Sequence, residues 1–248
     1  MFALQSYLWV APHLLLAVVL FLVFRRGLNS RLWLFTVYLI FEILLFTVLF
    51  IVNWIRLSID YYHWILIVGS SISDVVKFGL IYQLSGELVA VRPKLKQSLR
   101  SWYAFFFGMF FFCAVTVSAT FPRLGVSNAA YLFRILDLSS SIVMVGLLLA
   151  YSLFMRIVGV LWRDWAFGLI LGFGVFEGVS LISAVLRPEL SSTRATIIEF
   201  FEMAAYHICV LIWLAYLLRA EPHTSCSIDK MHQSHLESWG SDLQRMIQ

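Results

Sequence analysis

Seven apolar runs, near residues 6–24, 32–53, 62–84, 102–121, 129–155, 164–186 and 195–218, follow one another with short polar breaks between them. Each has about 20 residues or more, enough at 1.5 Å rise per residue to cross a hydrocarbon core of ~30 Å. Inside hydrocarbon, backbone N–H and C=O groups must find partners within the protein, which leaves helices and closed barrels. The runs are continuously apolar rather than alternating, so helices follow. The expected fold class is an all-α membrane protein. A seven-transmembrane-helix bundle fills 1–219, a cytoplasmic tail fills 220–248, and no stretch remains for a separate soluble domain.

Composition agrees: 61% of the residues are apolar and 13% charged, against roughly 25% charged in soluble domains. Orientation comes from basic residues near the helix ends. Arg25, Arg26, Arg31, Arg92, Lys94, Lys96, Arg100, Arg156, Arg163 and Arg219 fall on one side, and Arg56, Arg123, Arg187 and Arg194 on the other. Ten against four predicts a cytoplasmic C-terminus and an external N-terminus. Met1 to Pro12 has no basic n-region and the Arg25-Arg26 pair follows the apolar run, so the first helix is expected to stay in the mature chain. Trp33, Trp102, Trp162 and Trp165 fit an inner aromatic belt, and Trp54 and Trp64 an outer one. The expected location is the plasma (inner) membrane, multi-pass. The net charge of +4 is accounted for by loop cations facing anionic lipid, so no nucleic-acid partner is expected.

Eight ionisable side chains lie within the apolar runs: Glu42, Asp74, Lys77, Arg134, Asp137, Glu177, Glu199 and Glu202. Each costs roughly 2.5–3.5 kcal/mol at a helix centre on insertion scales, and such residues face a bundle interior, a partner or water. Counting along each run places them in the middle and outer half, while the inner halves are apolar and aromatic apart from Lys77. The pattern predicts an outward-facing acidic cavity above an apolar floor. Asp74 and Lys77, and likewise Arg134 and Asp137, are three residues apart and share a helix face. Glu199, Glu202, Met203 and Tyr206 form one stripe, with His207 near mid-membrane. Glu42 and Glu177 have no basic neighbour on their own helix, which predicts protonation or pairing across helices. The candidate ligand- or ion-binding cavity therefore comprises Glu42, Asp74, Lys77, Arg134, Asp137, Glu177, Glu199, Glu202, Tyr206 and His207.

Gly168, Gly172, Gly174 and Gly178 give two interleaved G-x-x-x-G spacings, a groove for a neighbouring helix. Pro12 belongs either at the first turn of its helix or at a kink. No H-E-x-x-H, C-x-x-C or G-x-S-x-G pattern occurs, so neither a metal site nor an enzyme is expected. A bis-histidine haem would need His13 and His63 at matching depth, and it is disfavoured because His63 lies at a helix edge beside Tyr61, Tyr62 and Trp64, as an interfacial residue would. The layout resembles that of rhodopsins and bacterial seven-helix sensor inputs. The seventh helix carries no lysine, however, so retinal attachment is not expected, and no cofactor is assigned.

In the tail, Ile228, Met231, Leu236, Trp239, Leu243 and Met246 approximate one helical stripe with a net acidic polar face. It is expected to be an amphipathic helix. Residues 225–248 would dock a cytoplasmic or membrane partner, and an oligomer is compatible with it. These features predict a receptor- or sensor-like protein binding a small polar or cationic ligand and signalling through its tail or a partner. The alternative is a proton- or cation-coupled transporter.

Overall fold

The computed structural model describes residues 2–55, 59–91, 101, 104–105, 107–109, 111–112, 115–116, 128–158, 165–186 and 192–219. The tail lies outside the described residues. Six helices have defined bounds: α1 (Phe2–Arg25), α2 (Trp33–Trp54), α3 (Ile59–Val91), α5 (Asn128–Val158), α6 (Trp165–Leu186) and α7 (Ser192–Arg219). The described residues between 101 and 116 are all helical and form α4. Among the described residues there is no strand. The chain is an all-α membrane bundle.

Helix ends depart from the apolar runs where the sequence lacks a breaker. Helix α3 outlasts its run by about two turns: Gly86 weakens the helix by only about 1 kcal/mol, and Pro93 is the first residue that stops one. Five helical segments among the described residues are long and apolar enough to span: Tyr7–Arg25, Trp33–Trp54, Trp64–Leu84, Trp165–Leu186 and Thr196–Arg219. Helix α5 contributes the apolar segment Asp137–Leu153 among the described residues. Large apolar side chains point outward on all these segments, among them Leu14, Phe21, Leu44, Val75, Leu149, Ile182 and Phe201. Such a surface is excluded from water and suits lipid.

Helix α1 packs on α2, α2 on α3, α3 on α5, and α5 on α6. The turn after α1 ends that helix with Gly27 at φ 65°, the left-handed conformation glycine adopts without penalty. There Leu28 N–H donates to Val23 O and Gly27 N–H to Phe24 O, both at 3.0 Å, a Schellman closure. At the start of α2, Leu32 offers no side-chain cap. Gln83 of α3 supplies one instead: its Oε1 accepts from Leu34 N–H at 3.2 Å and its Nε2 donates to Arg31 O at 2.6 Å. Arg26 donates to Leu218 O at 3.0 Å, and the Arg31 guanidinium lies 5.2 Å from the Trp165 ring centre. One short turn thus ties α1 and α2 to α3, α6 and α7 at that end of the bundle.

Pro12 sits inside α1 rather than at its first turn. It removes one backbone donor there, and in the same turn the His13 ring bonds Trp9 O at 2.9 Å. Deeper in the bundle, Phe35, Tyr38, Phe173 and Trp213 are fully buried and form an aromatic layer. Trp213 meets Phe35 edge-on at 5.4 Å and Phe173 at 4.7 Å, while Tyr38 meets Phe173 at 5.4 Å. Trp213 Nε1 donates to Leu169 O at 3.2 Å.

The glycine groove of α6 is used on one side. A Cβ at Gly168 would strike the Tyr216 ring, and one at Gly172 would strike Trp213 Nε1 and approach the Cys209 carbonyl of α7. Gly174 and Gly178 have nothing within 4 Å of that position. Gly172→Leu is therefore expected to lower stability by about 1–3 kcal/mol through overpacking, whereas Gly178→Leu should leave it within ~0.5 kcal/mol. Thermal unfolding of both variants in the same detergent checks the contrast.

Candidate functional site

Back-bonding is the rule for hydroxyls on these helices. Thr36 bonds Leu32 O, Thr47 bonds Ile43 O, Ser70 and Ser71 bond Ile67 O, and Ser152 bonds Leu148 O. A hydroxyl surrounded by apolar side chains satisfies itself this way without leaving its helix. Ser73 does otherwise. Its hydroxyl donates across to Glu42 Oε1 of α2 at 2.5 Å. Residue 73 faces the α2–α3 contact, and the neighbouring Gly69 lies against Leu45 of α2, so the two helices run close there.

One turn along α3 from Ser73, the Lys77 ammonium is almost wholly buried. It donates to Asp74 Oδ1 at 2.9 Å, the i,i+3 partner expected from spacing, and to Glu177 Oε1 of α6 at 2.8 Å. Glu177 is itself only 4% exposed. The ammonium also stands 5.6 Å from the Phe176 ring centre. Asp137 of α5 is half-buried, has interactions of its own and does not line the cavity beside these groups. Glu42, Asp74, Lys77 and Glu177 thus come together from three helices, with one cation among them. A buried lysine without such partners would be prohibitively costly.

Beside this cluster lies a cavity of about 230 Å³. Glu42, Ser73, Asp74 and Lys77 form its polar side, while Trp9, His13, Phe46, Phe176 and Tyr206 wall it with rings. His13 stacks on Phe46 with centroids 3.9 Å apart, Trp9 meets Phe46 at 5.2 Å, and Phe176 meets Tyr206 at 5.3 Å. The lining comes from Trp9 and His13 in the N-terminal half of α1, from Tyr38 to Leu49 across the middle of α2, from Leu66 to Lys77 of α3, and from Phe176 and Tyr206 near the middles of α6 and α7. The aromatic layer of Phe35, Phe173 and Trp213 lies toward the opposite end, and Tyr38 belongs to both.

The remaining expected site residues fall elsewhere. Glu199 is exposed, and Glu202, which has other interactions, does not line the cavity. Their stripe points the right way, but Glu199 stands seven residues from Tyr206, about 10 Å along the axis. His207 is turned about 100° from Tyr206. Its ring faces Tyr7 of α1 at 5.8 Å, and its Nδ1 has no partner among the described residues. The Arg134 side chain lies outside the described residues. Trp9, Phe46 and Phe176 were not singled out from the sequence, since an aromatic inside an apolar run looks like any other packing residue. His13 was weighed there as a haem ligand, yet here its ring lines the cavity. Among the described residues, no group of three or more His, Cys, Asp or Glu is placed to hold a metal ion.

Comparison with protein-family models, with curated proteins and with solved structures finds no match to this chain.

Removing Lys77 strands the buried Glu177 carboxyl and the half-buried Asp74 carboxyl. Lys77→Met is expected to destabilise the fold by about 3–5 kcal/mol, and Lys77→Met with Glu177→Gln by clearly less, because the second change removes one stranded charge. A double-mutant cycle read by unfolding in mild detergent checks this.

Proposed function

We propose that the protein is a multi-pass membrane receptor or sensor that binds a small polar or cationic ligand in the cavity between Glu42, Asp74 and the aromatic wall. The observation that carries this reading is the charge imbalance beside the cavity. Glu42, Asp74 and Glu177 face one ammonium, and Glu42 and Asp74 both reach the cavity. Negative charge held in a low-dielectric site favours a cation entering it. Aromatic faces around the same space add to that preference.

The cavity extends from the middle of the bundle toward the end that carries the N-terminus of α1. With the loop-charge bias of ten against four, that end belongs outside the cell, the aromatic layer seals the site from the cytoplasm, and the plasma membrane is the location. A response would pass along α6 and α7, which Trp213 joins, to the tail or a separate partner. No step in this reading requires a cofactor or a reaction.

A second reading, a proton- or cation-coupled transporter, draws on the Lys77–Glu177 bridge. That bridge joins α3 to α6 directly, so a change of charge in the cluster would loosen the contact between two spanning helices. The two readings separate in proteoliposomes. The receptor reading expects ligand-dependent changes in tail accessibility and no uptake driven by a pH or cation gradient. Gradient-driven uptake abolished by Glu42→Gln or Glu177→Gln would sink it in favour of transport.

A further inference from the structure

The cavity's hydrogen-bonding groups narrow the class of ligand, and this step rests on the reading that the cavity is a ligand site. Its volume of about 230 Å³ falls below the ~300–1,000 Å³ of sites for drug-sized ligands, so the occupant is small. The polar groups that reach it are mostly acceptors. Glu42 receives the Ser73 hydroxyl on Oε1 and has Tyr38 beside it, yet a carboxylate accepts about four hydrogen bonds. Asp74 engages Lys77 through Oδ1, which leaves Oδ2. The His13 ring bonds a carbonyl through Nδ1, so Nδ1 carries the hydrogen and the neutral ring's Nε2 is a bare acceptor.

Tyr206 provides an independent sign. Its hydroxyl oxygen is buried, has no hydrogen-bond partner among the described residues, and belongs to a side chain lining the cavity. Buried polar groups in folded proteins are nearly always satisfied, so an orphan hydroxyl on a cavity wall points to something that occupies the cavity.

An anion would meet Glu42 and Asp74 and be repelled. A neutral apolar molecule would leave the acceptors unmatched. A quaternary ammonium carries charge and suits the rings but has no hydrogen to donate. The geometry points to a small protonated primary or secondary amine with an apolar or aromatic body. Its N–H groups would be given to the Glu42 carboxyl and the Tyr206 hydroxyl, and its body would lie between Trp9, Phe46 and Phe176. The same ammonium chemistry is carried by the ethanolamine headgroup of a lipid, so the lipid source must be controlled.

The test uses the full chain in phosphatidylcholine nanodiscs with four matched probes: phenethylamine, its N,N,N-trimethyl analogue, 2-phenylethanol and phenylacetate. Binding is read by calorimetry and by tryptophan fluorescence, since Trp9 lines the site. Phenethylamine is expected to bind saturably, with the trimethyl analogue at least tenfold weaker and phenylacetate unbound. Glu42→Gln and Tyr206→Phe should each weaken phenethylamine at least tenfold. Tyr206→Phe should keep the wild-type unfolding temperature, because it removes a hydroxyl that has no partner to lose. Nanodiscs containing phosphatidylethanolamine distinguish the sources: competition with phenethylamine assigns the site to the headgroup, and its absence assigns it to a free amine. Equal or tighter binding of the trimethyl analogue, or preference for the alcohol or the acid, overturns the amine inference and leaves the ligand-site reading standing. Failure of all four probes to bind a folded protein overturns both.

Discussion

One ammonium, that of Lys77, fixes how the helices stand beside one another. It reaches Asp74 on its own helix and Glu177 on α6, one turn from the Ser73–Glu42 contact to α2. Buried ion pairs contribute little net stability, because desolvation offsets most of their attraction. Their effect here is positional. Sliding α3 by one turn along α6, about 5.4 Å, would break the Lys77–Glu177 bond and leave an acid in the bundle interior with no cation. Alternative registers are thereby excluded, and the cavity keeps its shape.

The two ends of the bundle are held by different means. Around the turn between α1 and α2, hydrogen bonds from Arg26 and Gln83 to main-chain carbonyls, a Gln83 cap on α2 and a cation over Trp165 draw the helices together. Below the cavity, the aromatic layer is tight because rings meet edge to face and because Gly168 and Gly172 leave room for Tyr216 and Trp213. Lipid is as apolar as these side chains, so packing in a bilayer rests on such fit rather than on exclusion of water. Among the described residues, the cavity end has fewer such ties. Its walls are single side chains, and the polar groups there point inward.

The helices and the embedded charges were legible in the sequence, because long apolar runs and charges within them are both anomalous against ordinary composition. The Asp74–Lys77 pair was legible too, since i,i+3 spacing is a local property. The partner of Glu177 was not, because Lys77 is 100 residues away and nothing local ties them. The seventh-helix stripe gave direction without depth: Tyr206 reaches the cavity, whereas Glu199, on the same stripe, is exposed. The glycine pattern was ambiguous for a related reason. Two identical spacings occur on α6, and which one meets a neighbour depends on where Trp213 and Tyr216 of α7 fall. The aromatic wall was hidden among 22 phenylalanines and nine tryptophans with no spacing to mark the ones that turn inward.

The Asp74–Lys77 pair also bears on how the chain enters the membrane. Translation delivers Lys77 long before Glu177, and at ~5–20 residues per second the gap of 100 residues lasts about 5–20 s. During that interval α3 must partition into lipid with a lysine whose distant partner has not yet been synthesised. Asp74 arrives three residues earlier and travels on the same helix face, so the pair can enter as a locally neutral unit. The aspartate is thus the lysine's escort during biogenesis, and Glu177 completes the site when α6 arrives.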